Sequence, residues 1–175
     1  MTEPSLPFTD RACIVIKLAR DEARRQRCDQ VLSEHLLGAL ILEGDGIAGL
    51  ALSKAGVSLG WRRSEDCRGL SEDEHNEWVC VGEKEAARFT GQAKQILINA
   101  ADEGMRLYAL LKPSVPDWFS DWFLNTEHLL LGLLLTTECS AWKLLQQDLA
   151  KVGLTPDDLR DEILRLIGVS PSPGA

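Results

Sequence analysis

No stretch of this 175-residue sequence approaches 18 uninterrupted apolar residues, which argues against a membrane-spanning helix. The start, Met1-Thr2-Glu3-Pro4, lacks a basic segment followed by an apolar one, so no secretory signal is evident. There is no Cys-x-x-Cys pair, no His-Cys cluster and no His-Glu-x-x-His, so neither a zinc site nor another metal centre is expected. The five cysteines (13, 28, 67, 80, 139) are odd in number and scattered, which reads as reduced thiols in a cytoplasmic protein. No Gly-x-x-x-x-Gly-Lys-Ser/Thr loop occurs, so ATP cannot be bound in the P-loop manner. Basic residues are in deficit: 19 Lys and Arg against 27 Asp and Glu leave a net charge of -8, which speaks against nucleic acid as a partner. What is present is an apolar complement of 45% with a mean hydropathy of -0.10, enough to bury a core.

The chain is organised around an element that occurs twice. Ser33-Glu34-His35-Leu36-Leu37-Gly38-Ala39-Leu40 is matched by Thr126-Glu127-His128-Leu129-Leu130-Leu131-Gly132-Leu133-Leu134. A hydroxyl residue ahead of an apolar run signals a helix start, where its side chain can accept from an unpaired backbone N–H, worth ~1 kcal/mol. A first-turn glutamate faces the positive end of the helix dipole, worth roughly 0.3–1 kcal/mol. Each copy therefore predicts a buried helix capped by Ser33 or Thr126 that exposes a carboxylate at its start.

A second repeated element precedes each copy. Phe8-Thr9-Asp10-Arg11-Ala12 returns as Phe89-Thr90-Gly91-Gln92-Ala93, 81 residues on. Ala12, Val15, Ile16 and Ala19 return in register as Ala93, Ile96, Leu97 and Ala100, each set giving one apolar helix face. This predicts an internal duplication. From Phe to His the first copy spans 27 residues and the second 39, so twelve are inserted in the second, near 108–124. Thr9 predicts the first helix cap, and Arg20, Arg24, Arg25 and Arg27 read as solvated helix surface. Gly44-Asp45-Gly46 ends the second helix, and a third runs over about 47–54 to Gly56. A short fourth is expected at 58–61. Residues 64–87 form an acidic connector, with eight Asp and Glu against Arg68 and Lys84. Helices over about 140–151 and 156–167 complete the second copy, the latter opened by Thr155-Pro156-Asp157-Asp158. Residues 169–175 read as a flexible tail.

Phe-Thr-x-x-Ala followed by Ser/Thr-Glu-His-Leu-Leu, each occurring twice, resembles the Clp N-terminal domain found at the front of ClpC-type and ClpA/ClpB-type unfoldases. The resemblance covers most of 8–168. It implies an all-α fold of about eight helices, with repeat one at 8–63 and repeat two at 89–168 packed about a pseudo-twofold axis. The family's ATPase modules are not in this sequence, and the start at Met1 with a short polar tail favours a stand-alone protein.

The resemblance also implies function: a non-enzymatic, cofactor-free module that binds Clp ATPase or protease components, or their substrates and adaptors. ClpC-type domains bind phosphoarginine, a degradation mark, through the carboxylate of the Glu-His element. That matches Glu34 and Glu127, with Ser33 and Thr126 adding a hydroxyl. A helix start suits a phosphate and a glutamate suits a guanidinium. The alternative is that both glutamates are only favourable first-turn residues. Actinobacterial relatives bind cyclic peptides on the first helix of each repeat, which matches Phe89, Lys94 and Leu97, although core packing also explains Phe8 and Phe89. Three mechanisms compete: an adaptor that delivers substrates, a decoy that captures cyclic peptide antibiotics, and an accessory subunit docked on the Clp core. The reading from another class is an enzyme with the Glu-His pairs as acid and base, but neither histidine has a recognisable nucleophile or metal partner. The histidines read as packed side chains near helix starts. Trp118, Phe119, Trp122 and Phe123, in the insertion, read as a seal over repeat two or, if exposed, as a partner patch.

Overall fold

The computed structural model describes residues 8–57, 88–111 and 123–170, and these carry seven α-helices and no strand beyond two isolated bridges. In chain order they are α1 (Asp10–Arg25), α2 (Ser33–Glu43), α3 (Ile47–Lys54), α4 (Gly91–Leu111), α5 (Thr126–Leu135), α6 (Ser140–Lys151) and α7 (Pro156–Leu166). The all-α expectation is met. The short fourth helix and the acidic connector lie outside the described residues, as do the first seven residues and the last five.

Outside the two Glu-His helices, the helix signals act as the sequence reads. Thr9 and Thr90 each accept from the N–H three residues on, opening α1 and α4. Thr155 and Asp158 cap α7 reciprocally. Gly44 ends α2 in the left-handed region (φ 70°), which lets the chain turn at once into α3. The expected faces of α1 and α4 are inside: Ala12, Val15, Ile16 and Ala19, and Ala93, Ile96, Leu97 and Ala100. No single described helix is long and apolar enough to cross a membrane. α2 and α5 are apolar nearly all round and form the centre. α1 packs along α2, and α4 packs along α5. Within α5, Leu129, Leu130, Leu131 and Leu133 are fully buried, each side chain contributing roughly 1.5–3 kcal/mol.

The two halves are tied together reciprocally. Phe8 bridges to Leu124, with the Thr9 N–H donating to the Leu124 carbonyl at 3.0 Å. In the counterpart, Phe89 bridges to Val31, the Val31 N–H donates to the Arg88 carbonyl and the Thr90 N–H donates to Val31. Each Phe-Thr opening thus pairs with the segment leading into the other half's Glu-His helix. The duplication is expressed as contact between copies. Part of the insertion lengthens a helix, since α4 has 21 residues where α1 has 16. Of the inserted aromatic residues, Phe123 is described and exposed. Trp118, Phe119 and Trp122 lie outside the described residues.

Candidate functional site

Both Glu-His helices start one residue earlier than the hydroxyl-cap reading supposes. The N-caps are Leu32 and Asn125, and Ser33 and Thr126 are first-turn residues that do not cap their own helices. Capping falls to the histidines. The Leu32 N–H donates to His35 Nδ1 and the Asn125 N–H to His128 Nδ1, both at 3.0 Å. This is the backward half of a capping box, with histidine in the place of Glu or Gln. A backbone N–H only donates, so each Nδ1 is unprotonated and each neutral ring carries its hydrogen on Nε2. His35 Nε2 lies 3.2 Å from Gln26 Oε1. Burial holds both rings below the usual imidazole range against the nearby glutamates, His128 at about 4. Rings held this way are packed helix-start residues, as the sequence reading expects.

The displaced hydroxyls cap helices of the opposite half. The Ala141 N–H, in the first turn of α6, donates to Ser33 Oγ at 3.3 Å. The Ala48 N–H, at the same place in α3, donates to Thr126 Oγ1 at 3.4 Å. Donor and acceptor are each displaced by 93 residues between copies, the offset that follows the twelve-residue insertion. Both hydroxyl side chains are buried. Each glutamate of the Glu-His pair therefore sits at a junction of two helix starts, α2 with α6 for Glu34 and α5 with α3 for Glu127.

The two junctions differ. Glu34 is half-buried, and its Oε2 accepts from Ser33 Oγ at 2.9 Å. Burial pushes its carboxyl up, but the Ser140 hydroxyl, its own N–H and the Ser33 hydroxyl outweigh this and hold it below the ordinary value. Glu127 is only 7% exposed, so the expected exposed carboxylate is absent in the second copy. Burial pushes its carboxyl above the ordinary value, and its own N–H and the Asn125 side chain do not compensate. The position matching Ser140 is Ile47, whose side chain has no hydrogen bond to give.

Phe89 (1% exposed) and Leu97 (5%) are core residues, and Lys94 is half-buried. Of these three, only Lys94 offers appreciable surface. The sequence reading also passes over two buried glutamates. Glu22 receives two hydrogen bonds from Arg25 and one from Gln26. Glu103 receives two from Arg106 (2.7 and 2.6 Å) and one from Arg160. The Arg25 and Arg106 hydrogen bonds are the leading cause that holds each carboxyl below its usual range. Arg25 is thus not simply solvated surface. Both pairs recur at the 81-residue offset, so following the register past Ala19 and Ala100 would have found them.

Comparison with known proteins agrees with this architecture. Residues 7–107 match the family described as the Clp repeat (R) N-terminal domain. The rice chloroplastic chaperone protein ClpC2 is 33% identical over 161 residues, covering 92% of this chain and 15% of that protein. The chaperone protein ClpB of Oceanobacillus iheyensis is 28% identical over 167 residues, covering 94% and 18% respectively. The chain thus spans under a fifth of the length of these relatives. Among solved structures, the N-terminal domain of the Arabidopsis thaliana caseinolytic protease associated chaperone ClpD superposes with a TM-score of 0.55 at 20% identity, covering 92% of this chain and 97% of that one. The Candida albicans Hsp104 N-terminal domain gives 0.56 at 22%, covering 93% and 92%. With the family match over more than half its length, this chain belongs to the Clp N-terminal domain family.

Proposed function

We propose that this chain is a non-enzymatic binding module of a Clp protease system, and that it recognises substrate tags or adaptors at the Glu34 junction. The observation that carries the reading is the half-exposed Glu34 carboxylate, kept ionised between the starts of α2 and α6. Helix starts favour an anion and a carboxylate favours a guanidinium, so phosphoarginine suits the pair. Ser33 orients Glu34 from beneath, and Glu127 with Thr126 forms the related junction in the second half. The scattered cysteines, with no Cys-x-x-Cys pair, suit a reducing compartment, and we place the protein in the cytoplasm.

Calorimetry with free phosphoarginine tests this reading. Glu34→Ala removes one charge-assisted contact, an expected loss of ~1.5–3 kcal/mol, or roughly tenfold to hundredfold in affinity. Plain arginine is expected to bind much more weakly. No heat at millimolar ligand would remove phosphoarginine from the reading. A second reading, capture of cyclic peptides, is supported by the outer face of α4, where half-buried Lys94 and exposed Ile98 lie one turn apart. Pull-down from the native cell separates the mechanisms: Clp subunits support an adaptor or accessory role, and a bound small peptide supports a decoy.

A further inference from the structure

We infer that only one of the two related junctions is open to a ligand, the Glu34 one, and that Glu43 with Arg11 fills the other from within the chain. The inference rests on Glu34 being a ligand carboxylate, as proposed above. A ligand with an anion and a guanidinium needs an accessible carboxylate at a helix start, where the dipole favours the anion.

The first-turn N–H groups of α3 and α6 are engaged alike, Ala48 on Thr126 Oγ1 and Ala141 on Ser33 Oγ, so the difference between the junctions lies in their carboxylates. The second junction holds Glu43 at the start of α3. The Gly46 N–H donates to Glu43 Oε2 at 2.9 Å, and the Ala48 N–H donates to Thr126 Oγ1. The opposite edge of the Glu43 carboxylate takes Arg11 Nη1 at 2.6 Å. The chain thus supplies its own carboxylate and its own guanidinium at that helix start. Space is also used up. A Cβ on Gly46 would lie 2.5 Å from Thr126 Oγ1 and 2.8 Å from Glu43 Oε2. Glu127 is buried beside this arrangement, and burial favours its protonated form.

At the first junction the N–H matching that of Gly46 belongs to Cys139, and it donates to the Thr136 carbonyl at 3.1 Å rather than to a carboxylate. Thr136 stands where Glu43 would be, and its hydroxyl turns back to the Gly132 carbonyl at 2.8 Å while accepting from Asn99. No carboxylate from that position reaches the start of α6. Ser140 stands in place of Ile47, and its hydroxyl lies 3.2 Å from Ser33 Oγ beside the Glu34 carboxylate. Glu43 against Thr136 and Ile47 against Ser140 are therefore the residues that decide which junction binds.

The test uses the full chain and free phosphoarginine. Calorimetry should return one equivalent per chain, and amide shifts should move at the starts of α2 and α6 but not at those of α3 and α5. Glu34→Gln should lower affinity at least about tenfold, with no residual second class of site. The paired change Glu43→Thr with Ile47→Ser, which copies the first junction into the second, should raise the count to two. Two equivalents in the unaltered protein, or amide shifts at Ile47 to Gly49, overturn the inference and leave the binding reading standing. Complete absence of binding overturns the inference together with the phosphoarginine reading. If the paired variant does not fold, the count and the amide map of the unaltered chain still decide.

Discussion

His35 and His128, prominent in the repeated motif, hold the starts of their own helices. Their Nδ1 atoms accept from the backbone N–H of the N-cap residue, Leu32 in one helix and Asn125 in the other. The cap works only while the ring is neutral. For His128 the folded value is about 4 against an ordinary 6.5. The unfolded chain therefore binds a proton as pH falls through 6.5, while the folded one resists until about 4. The stability held above pH 6.5 is lost progressively across that window, in total about 3 kcal/mol. Glu127 acts with the opposite sign, because its raised value favours the folded state as pH falls. His128→Gln keeps an acceptor at the same place but does not titrate. Urea unfolding at pH 7 and pH 4.5 should show this variant losing less stability on acidification than the unaltered protein. Equal losses would remove His128 from the acid response.

Among the helices, α4 and α5 approach closely enough to exclude a methyl group. A Cβ on Gly132 would stand 2.4 Å from the Ile96 carbonyl oxygen and 2.6 Å from the Ala100 nitrogen, both backbone atoms. Backbone cannot swing aside as a side-chain tip can, so the two helices must separate. Gly132→Ala is expected to cost about 1–3 kcal/mol or more, seen as a lower urea midpoint. Gly91, at the first position of α4, has nothing within 4 Å of its would-be Cβ. Gly91→Ala is expected to be neutral or to stabilise by up to ~1 kcal/mol through helix propensity. A tolerated Gly132→Ala would show that the helices are free to part.

Across the molecule, the two halves complete one another. Thr126 caps α3, Ser33 caps α6, and each Phe-Thr opening pairs with the opposite half. Thr126→Val leaves the buried Ala48 N–H without its acceptor, an expected loss of about 1–3 kcal/mol in thermal unfolding. The separate pieces 8–63 and 89–168 should each lack a cooperative transition, and mixing them should restore helicity and one transition. Cooperative unfolding of either piece alone would show that the exchanged contacts are dispensable. The purified 175-residue chain should hydrolyse neither ATP nor peptide. Turnover lost on changing His35 or His128 would contradict their assignment as caps.

What the sequence determined by itself is what acts over three or four residues. The Thr9, Thr90 and Thr155 caps, the Gly44 break, the apolar faces of α1 and α4 and the 81-residue repeat are all legible there, because each depends on neighbours along the chain. The Glu34 and Glu127 junctions were visible as a pattern but not as unequal sites. Only the tertiary structure decided that Ser33 serves Ala141, 108 residues away, and Thr126 serves Ala48, 78 away. Only packing buried Glu127 and left Glu34, beside Ser140, partly open. A hydroxyl next to a helix start binds whichever unpaired N–H the fold brings within reach. A carboxyl keeps or gives up its charge according to how much water and how many donors the fold leaves around it.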